Sequence, residues 1–285
     1  TPARLASRSL LLDAADRDGL AVAVGERGHV LLSRDGGKTW TQVEAPTRAL
    51  LTGVFLHDSR LAWAVGHDET ILRTRDGGKT WQRVRHAPEE EKPLLDVWFR
   101  DERQGFAIGA YGLLLATGDG GETWESRTVV EGDDTHLNAI AEAAGALFLA
   151  GEAGSLYRSE DGGASWQALP SPYEGSFFGL LPLSDGGLLA FGLRGHLFRS
   201  EDRGQTWLRV DSGTEATLMA GRELGGGKVV VAGLAGVLLF SEDGGRTFRA
   251  REQGDRKASL AILPGAAGGI VLLGEGGVRP IDKPF

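Results

Sequence analysis

The chain has 285 residues, with 31 basic against 39 acidic side chains for a net charge of −8, 41% hydrophobic residues, 44 glycines and no cysteine. The lack of cysteine excludes disulfides and thiolate chemistry, and the acidic balance argues against sequence-independent binding of nucleic acid. No run approaches the roughly 18–20 apolar residues of a membrane-spanning helix.

In chain order, a short surplus segment, Ala3 to Ser7, precedes a first strand-like run from Leu10 to Asp13. Apolar runs follow at Leu20 to Val24 and Val30 to Leu32, separated by a turn from Gly25 to Gly28. The octapeptide SRDGGKTW, Ser33 to Trp40, then closes the unit. The same grammar returns along the chain. Strand-like runs at Leu51 to Leu56, Leu94 to Phe99 and Phe177 to Leu183 open later units, and glycine turns recur at Gly109–Gly112, Gly151–Gly154, Gly192–Gly195 and Gly233–Gly236. The second unit departs from this, with Gly66 followed by His67, Asp68, Glu69 and Thr70. Octapeptides recur at Thr74 to Trp81, Thr117 to Trp124, Ser159 to Trp166, Ser200 to Trp207 and Ser241 to Phe248. Their aspartates, Asp35, Asp76, Asp119, Asp161, Asp202 and Asp243, are spaced 41, 43, 42, 41 and 41 residues apart.

A fixed period of this size marks one supersecondary unit repeated along the whole chain. Short β-rich runs separated by tight turns read as hairpins, so each unit holds four antiparallel strands, a to d. Aspartate supplies acceptors to a turn, glycine two places later takes φ > 0, and the aromatic residue starts the next strand with a large apolar surface. The fourth octapeptide position is Gly in five copies and Arg203 in one, so glycine is dispensable there. The six aspartates therefore read as structural turn fasteners. The pattern is that of the Asp box, or BNR repeat.

Four strands per repeat of about 40–45 residues is a β-propeller blade. Ala258 to Asp282 repeats strand a at Leu260–Leu263, strand b at Ile270–Leu273 and the turn Gly274–Gly277, then stops before a box. The expected fold is all-β: a single seven-bladed propeller over residues 1–285, its ring closed by pairing of the N-terminal strand with the C-terminal blade. The approximate repeats are 8–46, 47–88, 89–130, 131–171, 172–212 and 213–253, with 254–285 completed by 1–7. Closure of this kind hides sheet edges.

The stretch from Leu94 to Trp124, LLDVWFRDERQGFAIGAYGLLLATGDGGETW, resembles the photosystem II stability/assembly factor family of BNR-repeat propellers. Val54-Phe55 and Ala64-Val65-Gly66 carry the same wording in the second unit. The resemblance covers essentially the whole chain. It implies a seven-bladed, exported, non-enzymatic propeller that assists assembly of membrane protein complexes. In phototrophs the family binds a reaction-centre precursor through an arginine-rich patch. The acidic balance of this chain points to a member from a bacterium without photosynthesis. A first residue of Thr1 rather than Met fits a removed signal peptide and periplasmic or other export. The expected partner is a protein, such as a membrane protein or transporter component; no cofactor, catalytic residue, metal or nucleic acid is expected, and the chain reads as a monomer.

The rival reading is a glycoside hydrolase, since Asp boxes also occur in sialidases and glucan-cleaving propellers. Glycosidases usually need two carboxylates about 5–9 Å apart across the scissile bond, and sialidases a tyrosine nucleophile with arginines. Of the three tyrosines, Tyr111, Tyr157 and Tyr173, Tyr157 sits in a strand just before a box. The six histidines stand singly, without ligand spacing for a metal. His29 and His196 occupy equivalent places after a b–c turn, as repeat symmetry requires. The glycine turns have no following helix to hold an anion. Pro88 to Pro93 reads as a solvated acidic loop, Trp63 and Trp98 as inter-blade packing, and Arg83 with Arg85 as charges on one side of an outer strand.

In a propeller the d–a and b–c connections share one side, away from the boxes. The d–a connections are the least repetitive parts: His86 to Pro93, Val130 to His136, Pro170 to Ser176, Asp211 to Ala216 and Arg251 to Lys257. Variable loops on a rigid scaffold are where function concentrates. Arg27, His67, Tyr111 and Arg194 at the b–c tips, with His136 and Tyr173 from the d–a loops, form the expected partner-binding face, arginine and tyrosine being common interface anchors.

Overall fold

A computed structural model describes residues 5–285. It contains six four-stranded antiparallel sheets and one three-stranded sheet among the described residues, each in the order a-b-c-d or a-b-c. The architecture is the expected seven-bladed β-propeller. Blade 1 has strands Leu11–Arg17, Leu20–Gly25, Val30–Ser33 and Thr41–Val43, and blade 2 has Leu51–Leu56, Ala62–Gly66, Ile71–Thr74 and Gln82–Arg85. Blade 3 begins at Leu94–Phe99, blade 4 at Leu137–Ala143, blade 5 at Phe177–Pro182 and blade 6 at Leu218–Gly225. The seventh sheet is Ser259–Pro264, Ile270–Gly274 and Gly277–Ile281. The chain falls into two compact units, residues Thr1–Arg127 with Leu260–Pro284, and Thr128–Ser259 with Phe285.

Of the N-terminal segment expected to complete the seventh sheet, residues 1–4 lie outside the described residues. Ala6–Arg8 forms one 3-10 turn rather than a strand. It lies against the turn of that sheet, where a Cβ on Gly277 would stand 2.0 Å from Ser7 O, and does not add a fourth strand among the described residues.

Strand b of blade 1 is buried along its length, and its alternation shows why. Leu20, Val22 and Val24 pack with Leu51, Val54 and Leu72 of blade 2, while Ala21 and Ala23 pack with Ala261, Val271 and Leu273 of the seventh sheet. Each blade is thus a layer with two apolar faces, and the core is the set of seams between layers. In the other unit, Leu189, Phe191 and Leu197 of blade 5 meet Val229, Val231 and Leu239 of blade 6 in the same way. Trp63 confirms the packing reading: it is fully buried, stacks on Phe99 with ring centroids 3.4 Å apart, and its indole N–H donates to Gly120 O at 3.1 Å.

The boxes are fasteners in atomic detail. In the first, Asp35 Oδ1 accepts from the Thr39 amide at 2.9 Å and the Ser33 hydroxyl at 2.9 Å, and Oδ2 accepts from the Thr39 hydroxyl at 2.6 Å. The amide donor lies four residues on, farther than an ordinary Asx turn reaches. The hydroxyl and amide of Thr39 hold the Asp35 carboxyl down at about 2, as those of Thr123 do for Asp119. The fifth-position glycine is required by the neighbour: a Cβ on Gly37 would stand 2.6 Å from Val271 Cγ2, and one on Gly78 2.6 Å from Leu32 Cδ2. Position four varies between boxes: a Cβ on Gly36 would meet nothing closer than 3.6 Å, one on Gly77 or Gly120 would stand 2.8 or 2.7 Å from a backbone carbonyl, and Arg203 takes the position at φ 60°.

Among the described residues, four of the six boxes are also capped by an arginine from the preceding blade. Arg34 donates to Gly77 O, Arg73 to Gly120 O, Arg158 to Arg203 O and Arg199 to Gly244 O, at 2.9–3.1 Å. Every acceptor is the carbonyl of box position four. Arg73 and Arg199 are each 4% exposed, and their remaining N–H groups reach Glu122, and Asp185 with Glu201.

The b–c turns repeat a second close contact. A Cβ on Gly25 would stand 2.2 Å from Leu10 O, and one on Gly66 2.1 Å from Leu50 O, so the incoming linker lies directly on the turn. The turn's last glycine is replaced in blade 2 by Glu69, which holds φ 46° and is 1% exposed. Its carboxylate takes Arg85 Nε at 2.9 Å and Nη2 at 2.5 Å. This corrects the reading of Arg83 and Arg85 as equivalent charges on an outer strand: a register irregularity separates their partners Leu72 and Ile71, and Arg85 is committed to Glu69.

Asp13 joins blades 1 and 2 along their first strands. Its Oδ2 accepts from the Val54 amide and Oδ1 from the Ala14 amide, both at 2.8 Å. Burial nevertheless pushes its carboxyl up to about 6 against those two bonds.

Three outcomes follow from this framework. Gly37→Ala should lose about 1–3 kcal/mol more stability than Gly36→Ala in urea unfolding, both sharing the strain of positive φ and only the first overpacking a core. Arg85→Ala should cost about 2–3 kcal/mol, below the range for a fully buried pair because Arg85 keeps 28% exposure, and Glu69→Gly in the same chain should recover most of it. Because folded Asp13 binds a proton more tightly than the unfolded chain, its contribution falls as pH rises from about 4 to about 6. Asp13→Asn should therefore gain stability relative to the wild type over that window, by up to about 3 kcal/mol at pH 7, and a flat difference across pH would contradict the assignment.

Candidate binding site

The six residues expected to meet a partner divide three and three between the two units. In the first, Arg27 and Tyr111 occupy the same position of their b–c turns, each at φ 56°, and Tyr111 is 56% exposed. His67 is exposed at the tip of the blade 2 turn, where its amide donates to Leu50 O at 2.9 Å. The left-handed position belongs to Arg27, Tyr111 and, in blade 2, Asp68, the residue after His67.

Arg27 opens onto a cavity of about 570 Å³, lined by His29 and by the linker residues Gln42 to Arg48. The linker is held against the turn, since a Cβ on Gly28 would stand 2.3 Å from Thr47 O. His29 is 6% exposed, and its Nδ1 is buried without a hydrogen-bond partner. Burial holds the imidazole below its usual pKa, with Glu26 opposing and Arg27 adding to that effect. Repeat symmetry does place His29 and His196 alike, but their surroundings differ.

In the second unit, Arg194 stands exposed at φ 56° on its tip, matching Arg27. The other two residues are engaged locally. His136 Nδ1 lies 3.3 Å from Glu152 Oε2, tying its linker to the blade 4 turn. Tyr173 stacks on His196 with ring centroids 4.0 Å apart and an interplanar angle of 14°. Both side chains tie a linker to the blade that follows it. Tyr157, weighed as a nucleophile, is 5% exposed and donates its hydroxyl to Asp133. Burial, followed by that bond, raises its pKa, the opposite of what an activated phenolate needs.

The structure gathers one group that spacing along the chain did not show. Ligand atoms of His57, Asp58 and Glu102 lie within 4.8 Å of one another, across the a–b turns of blades 2 and 3. Arg103 lines the adjoining cavity of about 650 Å³ beside His57 and Asp101 and counters a cation there. Sequence reading also passed over the linker at residues 44–48 and the capping arginines. Arg48 carried no motif, and the arginines lie 43–47 residues from the carbonyls they cap.

Comparison with known proteins places these features. The profile of the family described as photosynthesis system II assembly factor YCF48 matches residues 4–89 and 86–174, and a BNR-Asp box repeat profile matches residues 197–210. No curated protein matches. Among solved structures, YCF48 bound to D1 peptide is 20% identical, with 98% of this chain and 94% of that chain covered at a TM-score of 0.77. YCF48 from Cyanidioschyzon merolae is 19% identical, covering 98% and 96%, also at 0.77. Streptogramin B lyase, at 14% identity, covers 96% and 93% with a TM-score of 0.81. At such identities the likeness is one of fold, and the lyase shows that the fold does not fix the chemistry. With its family profile matched from residue 4 to residue 174, the chain belongs to the photosynthesis system II assembly factor YCF48 family of BNR-repeat propellers.

Proposed function

We propose that this protein is a non-enzymatic scaffold that binds a partner protein and assists the assembly or stability of a membrane protein complex outside the cytoplasm. The observation that carries the reading is the set of exposed side chains at the b–c tips. Close backbone contacts dictate the turn's glycines, and the left-handed tip position carries Arg27, Tyr111 and Arg194, all exposed. Ala153 and Ala235 fill that position in other blades, so fold alone does not require large side chains there. Exposed arginine and tyrosine on a rigid turn lose little freedom on binding and make effective anchors. Membership of the assembly-factor family supports the same reading, as does the D1 peptide bound to a relative of the same fold. No helix among the described residues is long and apolar enough to cross a membrane, so contact with a membrane complex would run through the partner.

In-cell cross-linking followed by identification of captured proteins tests this. The wild-type chain should capture a component of a membrane complex, and the combined variant Arg27→Ala, Tyr111→Ala, Arg194→Ala should lose at least about tenfold in capture, three anchors of about 1 kcal/mol each being removed. Its melting temperature should stay near that of the wild type. Undiminished capture by the folded variant, or fractionation with the cytosol, would count against the proposal.

A further inference from the structure

The cavity beside Arg27 has an unusual donor balance. Arg27 and Arg48 are exposed and make no ion pair or hydrogen bond with a described residue. Within the seams guanidinium groups are spent on carbonyls and carboxylates, as at Arg73 and Arg199, and Arg85 is spent on Glu69. An acidic chain with 39 carboxylates against 31 basic groups has no shortage of partners, yet two guanidiniums share one cavity unpaired. The third member is His29, buried with Nδ1 unsatisfied. A buried polar atom without a partner is costly, and each one calls for an explanation. Two planar forks, and the imidazole nitrogen when it carries a proton, lack the same thing: a compact group with several acceptor lone pairs.

The charges around His29 sharpen this. Glu26 and Arg27 flank it on its own turn, and Glu44 and Arg48 face it from the linker. The Glu26 carboxylate accepts the Leu10 amide at 3.2 Å. Two positive and two negative groups leave the free cavity near neutrality, so an arriving anion brings an uncompensated charge. Protonation of His29 would neutralise it, and an anion beside an imidazole favours the protonated form. The cavity's 570 Å³ lies within the span of about 300–1,000 Å³ typical of ligand sites. That is more room than a lone ion needs.

Resting on the scaffold reading above, we propose that the cavity of Arg27, His29 and Arg48 binds a carboxylate carried on a flexible segment of the partner polypeptide, with uptake of a proton by His29. The guanidinium groups take the carboxylate oxygens, the proton enters the imidazole from solvent, and the linker from Glu44 to Arg48 accommodates the attached chain. Binding is tighter at pH 6 than at pH 8.

The test uses the whole chain and needs no knowledge of the partner. Acetyl-trialanine as the free acid, its C-terminal amide and acetate are each titrated while NMR follows the His29 ring and the arginine side chains. The free acid should shift His29, Arg27 and Arg48 and bind about tenfold more tightly at pH 6 than at pH 8. Arg48→Gln, at an exposed position, should weaken it at least about fivefold without changing the spectrum elsewhere. Equal binding of the amide would overturn the carboxylate assignment, and acetate binding as well as the peptide acid would overturn the peptide assignment. Binding that ignores pH would overturn the role of His29. If the probe fails in all respects while cross-linked capture persists, this site is wrong and the scaffold reading stands; if Arg48→Gln abolishes probe binding but capture by the wild type is never seen, the reverse holds.

Discussion

The seam between consecutive blades is the constraint on which the rest depends. A box turn can approach the preceding blade only because its fifth residue is a glycine, and even a methyl group on Gly37 or Gly78 would enter the side chain of Val271 or Leu32. Once the turn is seated, at four of the boxes its fourth carbonyl is met by an arginine from the previous blade, as Arg73 meets Gly120 O. The arginine can be nearly buried because its remaining donors find carboxylates such as Glu122. A buried carbonyl without this donor would carry a desolvation penalty of about 1–3 kcal/mol. The aspartate inside the turn keeps the glycine and carbonyl in position. Apolar alternation in the strands then fills the space that the seam defines.

Much of this was legible in the chain because it is periodic. The spacing of Asp35 through Asp243, the paired glycines and the partial seventh repeat fixed blade number and strand order, since each is a local pattern with a local cause. The reciprocal contacts were not legible. Arg34 and Gly77 O are separated by a whole repeat, and nothing at either position announces the other. For the same reason His57 and Glu102 came together unannounced. Of the six candidate face residues, Arg27, Tyr111 and Arg194 stand exposed at tips, where turn geometry made exposure predictable. His136 and Tyr173 are engaged by Glu152 and His196, partners that only three-dimensional packing supplies. The cavity at His29 depends on a linker with no motif of its own, so no sequence signal marked it.

The division of labour within each blade follows from these contacts. The box end is occupied by repeated fasteners whose carboxylates are saturated by hydroxyl and amide donors, leaving little chemistry to offer a ligand. At the b–c turns, glycines set the backbone and leave one tip side chain free to vary, and the linkers vary most of all. Selection on binding can therefore act there without disturbing a seam. A repeat architecture in which most positions are fixed by neighbours concentrates its freedom in a few places.

Glu69 has a consequence for how such a chain could have been assembled from copies. A blade cut from one place and inserted at another would ordinarily fit, because glycine at the turn and glycine at the box demand nothing particular of the neighbour except space. The second blade is different. Its turn carries a carboxylate at 1% exposure whose only tolerable setting includes Arg85 from its own last strand. A recombination breakpoint between residues 69 and 85 would separate lock from key and leave a lone charge enclosed in protein. Residues 69–85 are thus inherited together or not at all, a linkage block of less than half a repeat in an otherwise shuffleable array.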